Sequence, residues 1–154
     1  MELAEKTSSA DGTPIAFEHF GDGPVLVIVG GAWNTRRSGA ELAEALAPNL
    51  NVYTYDRRGR GDSGDTPPYA VEREIEDLQA VIEAAGGSAA LFGHSSGAAL
   101  ALETTARSVS VSRLAMYEPR TSPTPAGRRS PTITSTASST WWRPAGGERS
   151  SATS

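Results

Sequence analysis

The chain has 154 residues, enough for one domain, with 38% hydrophobic residues and a net charge of −4. It contains no cysteine, which excludes disulfides and thiolate metal sites, and nothing in its pattern implies a cofactor or metal. The first residues, MELAEK, have no apolar signal core and no run reaches the ~20 residues of a membrane span, so a soluble cytoplasmic protein without membrane partners is expected.

In chain order, Thr13–Phe20 alternates in polarity behind the turn pair Asp11-Gly12, so residues 4–20 are expected to form a hairpin, with His19 an exposed strand histidine. Val25–Val29 is an unbroken apolar run, the pattern of a parallel strand buried on both faces. Gly30-Gly31-Ala32-Trp33 follows it. Ser38-Gly39-Ala40-Glu41 fits a capping box opening a helix through Ala47, and Pro48 stops that helix. Asn51–Tyr55 is the next strand, followed by Asp56-Arg57-Arg58-Gly59-Arg60-Gly61-Asp62-Ser63-Gly64.

Within that segment, Gly59–Gly64 matches the G-x-G-x-x-G string of dinucleotide sites, which must open a helix facing the pyrophosphate. Thr66-Pro67-Pro68 stands where that helix would start, so this reading is set aside. Arg60-Gly61-Asp62 spells an adhesion tripeptide, a coincidence in a chain without a secretion signal.

Val71, Ile75, Leu78 and Ile82 recur at helical spacing, and Gly86-Gly87 ends their helix. The apolar run Ala89–Phe92 reads as a short buried strand. It leads into Gly93-His94-Ser95-Ser96-Gly97 and then into small, helix-favouring residues through Glu103. Arg113–Tyr117 is the last strand. Strands alternating with helices give an α/β class with an open, mostly parallel sheet and flanking helices.

The string at residues 93–97 is G-x-S-x-G, in which a strand turns sharply into a helix and the serine sits at the turn with its hydroxyl above the sheet. With Gly30-Gly31-Ala32-Trp33 after the strong strand and a D-x-R-G-x-G-x-S segment from Asp56 to Ser63, residues 5–118 resemble the α/β-hydrolase family. The family usually begins its oxyanion loop with His-Gly, and here a glycine takes the place of that histidine. The resemblance implies Ser95 as the nucleophile towards an ester or related bond of a small-molecule substrate. It implies the backbone N–H groups of Ser96 and Ala32 as the oxyanion hole.

A serine hydroxyl needs a base to take its proton, and the family supplies an acid and then a histidine later in the chain. After Ser95 this sequence has neither aspartate nor histidine. His19 lies before the motif, His94 leaves the turn in a different direction from Ser95, and Glu118 has no histidine to orient. Weak or absent activity is expected, the alternative being a non-catalytic remnant or binding module on the same scaffold.

Composition changes at Pro119. Residues 120–154 hold five arginines and one acid, +4, leaving −8 for residues 1–119 from the chain's −4. The same stretch has eight serines, seven threonines and four prolines, against Ile133, Trp141 and Trp142 as large apolar residues. Such a segment buries too little apolar surface to offset its ordering entropy, so a disordered tail follows a hydrolase-like core at 1–119. Arginines beside Trp141-Trp142 raise single-stranded nucleic acid as a ligand. Their dispersal and the acidic core favour a solvated tail and no nucleic-acid partner. The abrupt change also fits a frameshifted or truncated gene, leaving an open sheet edge and a marginally stable chain.

Overall fold

The computed structural model describes residues 4–108 and 110–119. Its strands are β1 (Glu5–Ser8), β2 (Pro14–Phe20), β3 (Val25–Val29), β4 (Asn51–Tyr55), β5 (Ala89–His94) and β6 (Val111–Tyr117). Its helices are α1 (Ala40–Leu46), α2 (Val71–Ala84) and α3 (Ser96–Arg107). One sheet runs in the order β1-β2-β4-β3-β5-β6. β3, β4, β5 and β6 are parallel to one another, and β1 and β2 add an antiparallel hairpin.

The hairpin closes where expected. Gly12 takes a φ of 84°, Ser9 N–H donates to the Thr13 carbonyl at 2.9 Å, and Asp11 Oδ1 accepts the Thr13 N–H at 3.0 Å. The unbroken apolar run of β3 is explained by its place between β4 and β5 with helices on both sides of the sheet. On one face, Ile75, Leu78, Val81 and Ile82 of α2 and Leu100 and Ala101 of α3 pack on Ile15, Phe17, Val27, Val29, Tyr53, Tyr55 and Leu91. On the other, Ala43 and Leu46 of α1 meet Ile28, Val52, Leu26 and Phe92.

Two boundaries differ from the sequence reading. The chain turns before α1, in a 3-10 segment Arg36–Gly39 whose Ser38 Oγ accepts the Thr35 N–H at 3.2 Å. Ser38 therefore serves this earlier turn and does not open α1. The cause lies outside the segment: Asp56 Oδ1 captures the Arg36 N–H at 2.7 Å and draws the chain down. β6 begins at Val111, two residues before the expected start at Arg113, because the Ala89 N–H reaches back to the Ser110 carbonyl at 3.0 Å, beside an irregularity in register at Ala89/Ala90.

α2 ends on Gly86 and Gly87, with φ of 114° and 91°, as the sequence predicts. Among the described residues β6 pairs only with β5, and Ser112, Arg113, Ala115 and Tyr117 are exposed. Among the described residues no helix is long and apolar enough to cross a membrane. The boundary at Pro119 and the tail expected at 120–154 lie at the edge of and outside the described residues.

Candidate active site

β3 is followed by a connection to β4 on one side and β4 by a connection back across to β5 on the other. The strand order therefore reverses between β3 and β5. A crevice at the carboxyl ends of strands at such a point is where open α/β sheets place their ligands. Residues 30–34 leave β3 there and residues 94–96 leave β5 there.

Ser95 joins β5 to α3 with φ 56° and ψ −120°, a left-handed conformation that costs a non-glycine residue of order 1–3 kcal/mol and persists only when its surroundings enforce it. The enforcement is visible. Ser95 N–H donates to the Tyr117 carbonyl at 3.0 Å, and its own carbonyl accepts the Ala98 N–H at 3.1 Å. Glycine is required on both sides: a Cβ at Gly93 would stand 2.5 Å from Ala98 Cα, and one at Gly97 would stand 2.2 Å from the Val29 carbonyl oxygen.

The loop after β3 folds over this turn. Asn34 N–H closes on the Gly31 carbonyl at 3.2 Å, and a Cβ on Gly31 would lie 3.4 Å from Ser95 Cβ and 3.5 Å from His94 Nδ1. Gly31, Ala32, Trp33, Asn34, His94, Ser95 and Ser96 line one cleft of about 360 Å³. Ala32 from the loop after β3 and Ser95 and Ser96 from the turn into α3, the three residues to which the family resemblance points, thus share one cavity. Trp33 stands almost fully exposed at its rim.

The other titratable residues singled out from sequence do not converge on Ser95. His19 lies on β2, with β4 and β3 between it and β5. Its Nδ1–H donates to Asn51 Oδ1 at 3.2 Å, and it sits 3.6 Å from Glu5 and stacks on Tyr53. His94 stacks on Tyr117 with centroids 5.8 Å apart, beside the turn. Glu118 is exposed, with a φ of 45°. Among the described residues no side chain hydrogen-bonds Ser95 Oγ. Among the described residues, too, no group of three or more His, Asp or Glu is placed to hold a metal ion.

A charged network that no local sequence pattern announces carries these loops. Asp56, fully buried, accepts the Arg36 N–H at 2.7 Å, Arg36 Nη1 at 2.5 Å and the Asp62 N–H at 2.9 Å. A Cβ on Gly61 would stand 2.2 Å from Asp56 Oδ2, so this glycine makes room for a carboxylate of its own chain. The next helix starts only at Val71, so no helix N-terminus meets the Gly59–Gly64 turn. Ser63 Oγ donates to the Asp56 carbonyl at 2.6 Å and accepts the Ala16 N–H at 2.9 Å.

Arg58 forks onto Asp77 at 2.8 Å twice and reaches Asp11 at 3.0 Å. Arg57 forks onto Glu74 through Nε at 2.5 Å and Nη2 at 2.7 Å. Burial pushes the Glu74 carboxyl up, and the Arg57 hydrogen bonds and charge overcome it and leave the group below its ordinary range. Glu74 and Asp77 occupy core-facing positions of α2 beside Ile75 and Leu78, a departure from binary patterning that is visible in the sequence once the helix is drawn.

A model of the alpha/beta hydrolase family matches residues 25–152. An uncharacterised hydrolase, YraK, of Bacillus subtilis is 30% identical over 111 residues, which are 70% of this chain and 41% of that protein. Among solved structures, an alpha/beta hydrolase from Sphaerobacter thermophilus is 63% identical with a TM-score of 0.74, over 75% of this chain and 45% of that one. The bottromycin epimerase BotH, solved in complex with bottromycin A2, is 34% identical with a TM-score of 0.68, over 75% of this chain and 48% of its own. The chain spans less than half the length of each of these relatives.

Proposed function

Because the chain belongs to the alpha/beta hydrolase family, we propose that it presents the nucleophile half of a serine hydrolase site acting on an ester or related bond of a small molecule. The observation that carries this is the cleft in which Ser95, held in its strained turn, meets Ala32 and Ser96. In this reading Ser95 Oγ attacks the carbonyl carbon, the Oγ–C bond forms, and the carbonyl oxygen takes negative charge within reach of the Ala32 and Ser96 N–H groups. Collapse expels the alcohol, and water then releases the acid and regenerates Ser95. Each such donor is worth about 10²–10³ in rate.

The hydroxyl proton is the weak point. No acceptor for it stands beside Ser95 among the described residues, and the sequence beyond Ser95 offers neither histidine nor aspartate. Solvent takes the proton. Loss of a triad base costs about 10⁶-fold in a serine protease and leaves roughly 10³–10⁴-fold over water from the hole and binding, so turnover by this chain is slow.

A second reading has its own support: the same scaffold holding a ligand without acyl transfer. It is favoured by Ser95 Oγ having no hydrogen-bond partner among the described residues and by the similarity to an epimerase solved in complex with bottromycin A2. An activated aryl phosphonate and short p-nitrophenyl esters, presented to the folded protein and to Ser95→Ala, separate the two. Slow, stoichiometric labelling that Ser95→Ala abolishes supports the hydrolase. A folded wild type that takes no label leaves the binding module.

A further inference from the structure

We propose that Arg57 is a positioning residue that sets the loop after β3 against the first turn of α3, and through them the spacing between Ala32 and Ser96. This rests on the reading of Ser95 given above and adds a residue to it. One nitrogen, Arg57 Nη1, donates both to the Gly30 carbonyl at 3.3 Å and to Ser96 Oγ at 3.1 Å. Gly30 begins the loop that carries Ala32, and Ser96 follows the nucleophile directly. The two halves of the oxyanion hole therefore hang from a single atom of a third segment.

That atom is itself fixed. The opposite edge of the guanidinium is bidentate to Glu74 at 2.5 and 2.7 Å, and Tyr69 OH donates to Glu74 Oε1 at 2.9 Å. Glu74 sits on the buried face of α2 between core residues, so the planar fork transmits the position of α2 to the loop. Gly30 and Gly31 have no side chains of their own to hold the loop, and their freedom makes an external clamp necessary. Arg60 Nη1 adds a single bond to the Gly31 carbonyl at 3.2 Å. Among the described residues it makes no hydrogen bond to α3.

A plain structural staple would need only the Arg57–Glu74 pair. The Nη1 hydrogen bonds go further and, among the described residues, end on the two site segments alone. Misplacement of a catalytic group by about 1 Å costs about 10²-fold.

The test uses Ser96→Ala, which removes the accepting hydroxyl and keeps the N–H, Arg57→Lys, and the paired change Arg57→Met with Glu74→Met, which strands no buried charge. Two readouts are taken on the full chain: the kinact and KI of Ser95 labelling by the aryl phosphonate, and amide hydrogen exchange across residues 30–34, 96–98 and α2. The paired variant is expected to lose about 100-fold in kinact with KI unchanged. Arg57→Lys should fall between it and wild type, and Ser96→Ala should lose about 3–10-fold, all with exchange accelerated at 30–34 and not in α2. A folded paired variant labelled at the wild-type rate overturns the proposal. If the paired variant does not fold, the single variants decide, and unchanged kinact in both overturns it. If wild type takes no label, the hydrolase reading fails by itself and exchange decides for Arg57. Acceleration confined to 30–34 and 96–98 supports the clamp, and uniform or absent acceleration removes it.

Discussion

Gly97 lies so close under Val29 that a Cβ on it would stand 2.2 Å from the Val29 carbonyl oxygen and 2.5 Å from that of Gly30. The first turn of α3 is thus seated directly on the end of β3, and this contact brings Ser95 beside the loop that begins at Gly30.

Gly97→Ala sets two effects against each other. Alanine is the better helix former by about 1 kcal/mol. The clash, however, is with backbone at a distance no real Cβ contact shows, and overpacking of this kind costs typically about 1–3 kcal/mol and more where backbone must move. A net loss of about 1–2 kcal/mol in urea unfolding is expected, with slower labelling of Ser95. A midpoint equal to or above wild type would show that α3 lifts off β3 at no cost.

Asp56 and Asp62 both pair with Arg36, one fully buried and the other mostly exposed. Removal of the exposed partner in Asp62→Ala should cost about 0–1 kcal/mol. Removal of the buried one leaves Arg36, itself buried, with an uncompensated share of its charge and strips acceptors from two backbone N–H groups, so Asp56→Ala should cost about 3 kcal/mol or more. Equal unfolding midpoints for the two variants would contradict this division.

The elements were legible in the sequence because their periods are local. Ile75, Leu78 and Ile82 repeat at one helical face, Val25–Val29 runs unbroken, and Gly93 and Gly97 bracket Ser95 within five residues. The network was not legible because its partners are distant: Arg57 and Glu74 are 17 residues apart, Arg58 and Asp77 19, Arg36 and Asp56 20. The D-x-R-G-x-G-x-S string could be matched without revealing that Asp56, Arg58 and Ser63 hold loops together. The start of α1 was misplaced for the same reason, since Asp56 draws in the Arg36 N–H from another strand's end. The gathering of Ala32, Ser95 and Ser96 was anticipated only through a family resemblance; no local spacing encodes it.

Acid should destabilise the fold through Asp11 and Glu74. The Thr13 hydrogen bonds, with Arg58 beside them, hold the Asp11 carboxyl well below the usual carboxylate range, and Arg57 outweighs burial to hold Glu74 below its own. For a depressed carboxylate the unfolded chain binds protons first, so its contribution is present above the ordinary values near ~4 and drains as pH falls towards the folded ones. Urea midpoints should be flat from about pH 7 to 5 and fall steadily below about pH 4. Asp11→Asn should flatten that fall. A slope identical to wild type would remove Asp11 from the account.

The last expectation concerns a polar atom with nothing to bond. Tyr55 is buried in the core under α2, its hydroxyl lacks a hydrogen-bond partner among the described residues, and burial pushes its ionisation up. An orphaned buried hydroxyl carries a desolvation cost of about 1–3 kcal/mol, which Tyr55→Phe removes while keeping the ring packed between Phe17's strand and α2. Thr54→Val makes the same exchange on the opposite face, where Thr54 Oγ1 is also partnerless. Both variants should unfold at higher temperature, by a few degrees for each ~1 kcal/mol gained. A lowered midpoint in Tyr55→Phe would mean that its hydroxyl is satisfied in solution, with an ordered water between it and the Arg57–Glu74 pair as the first place to look.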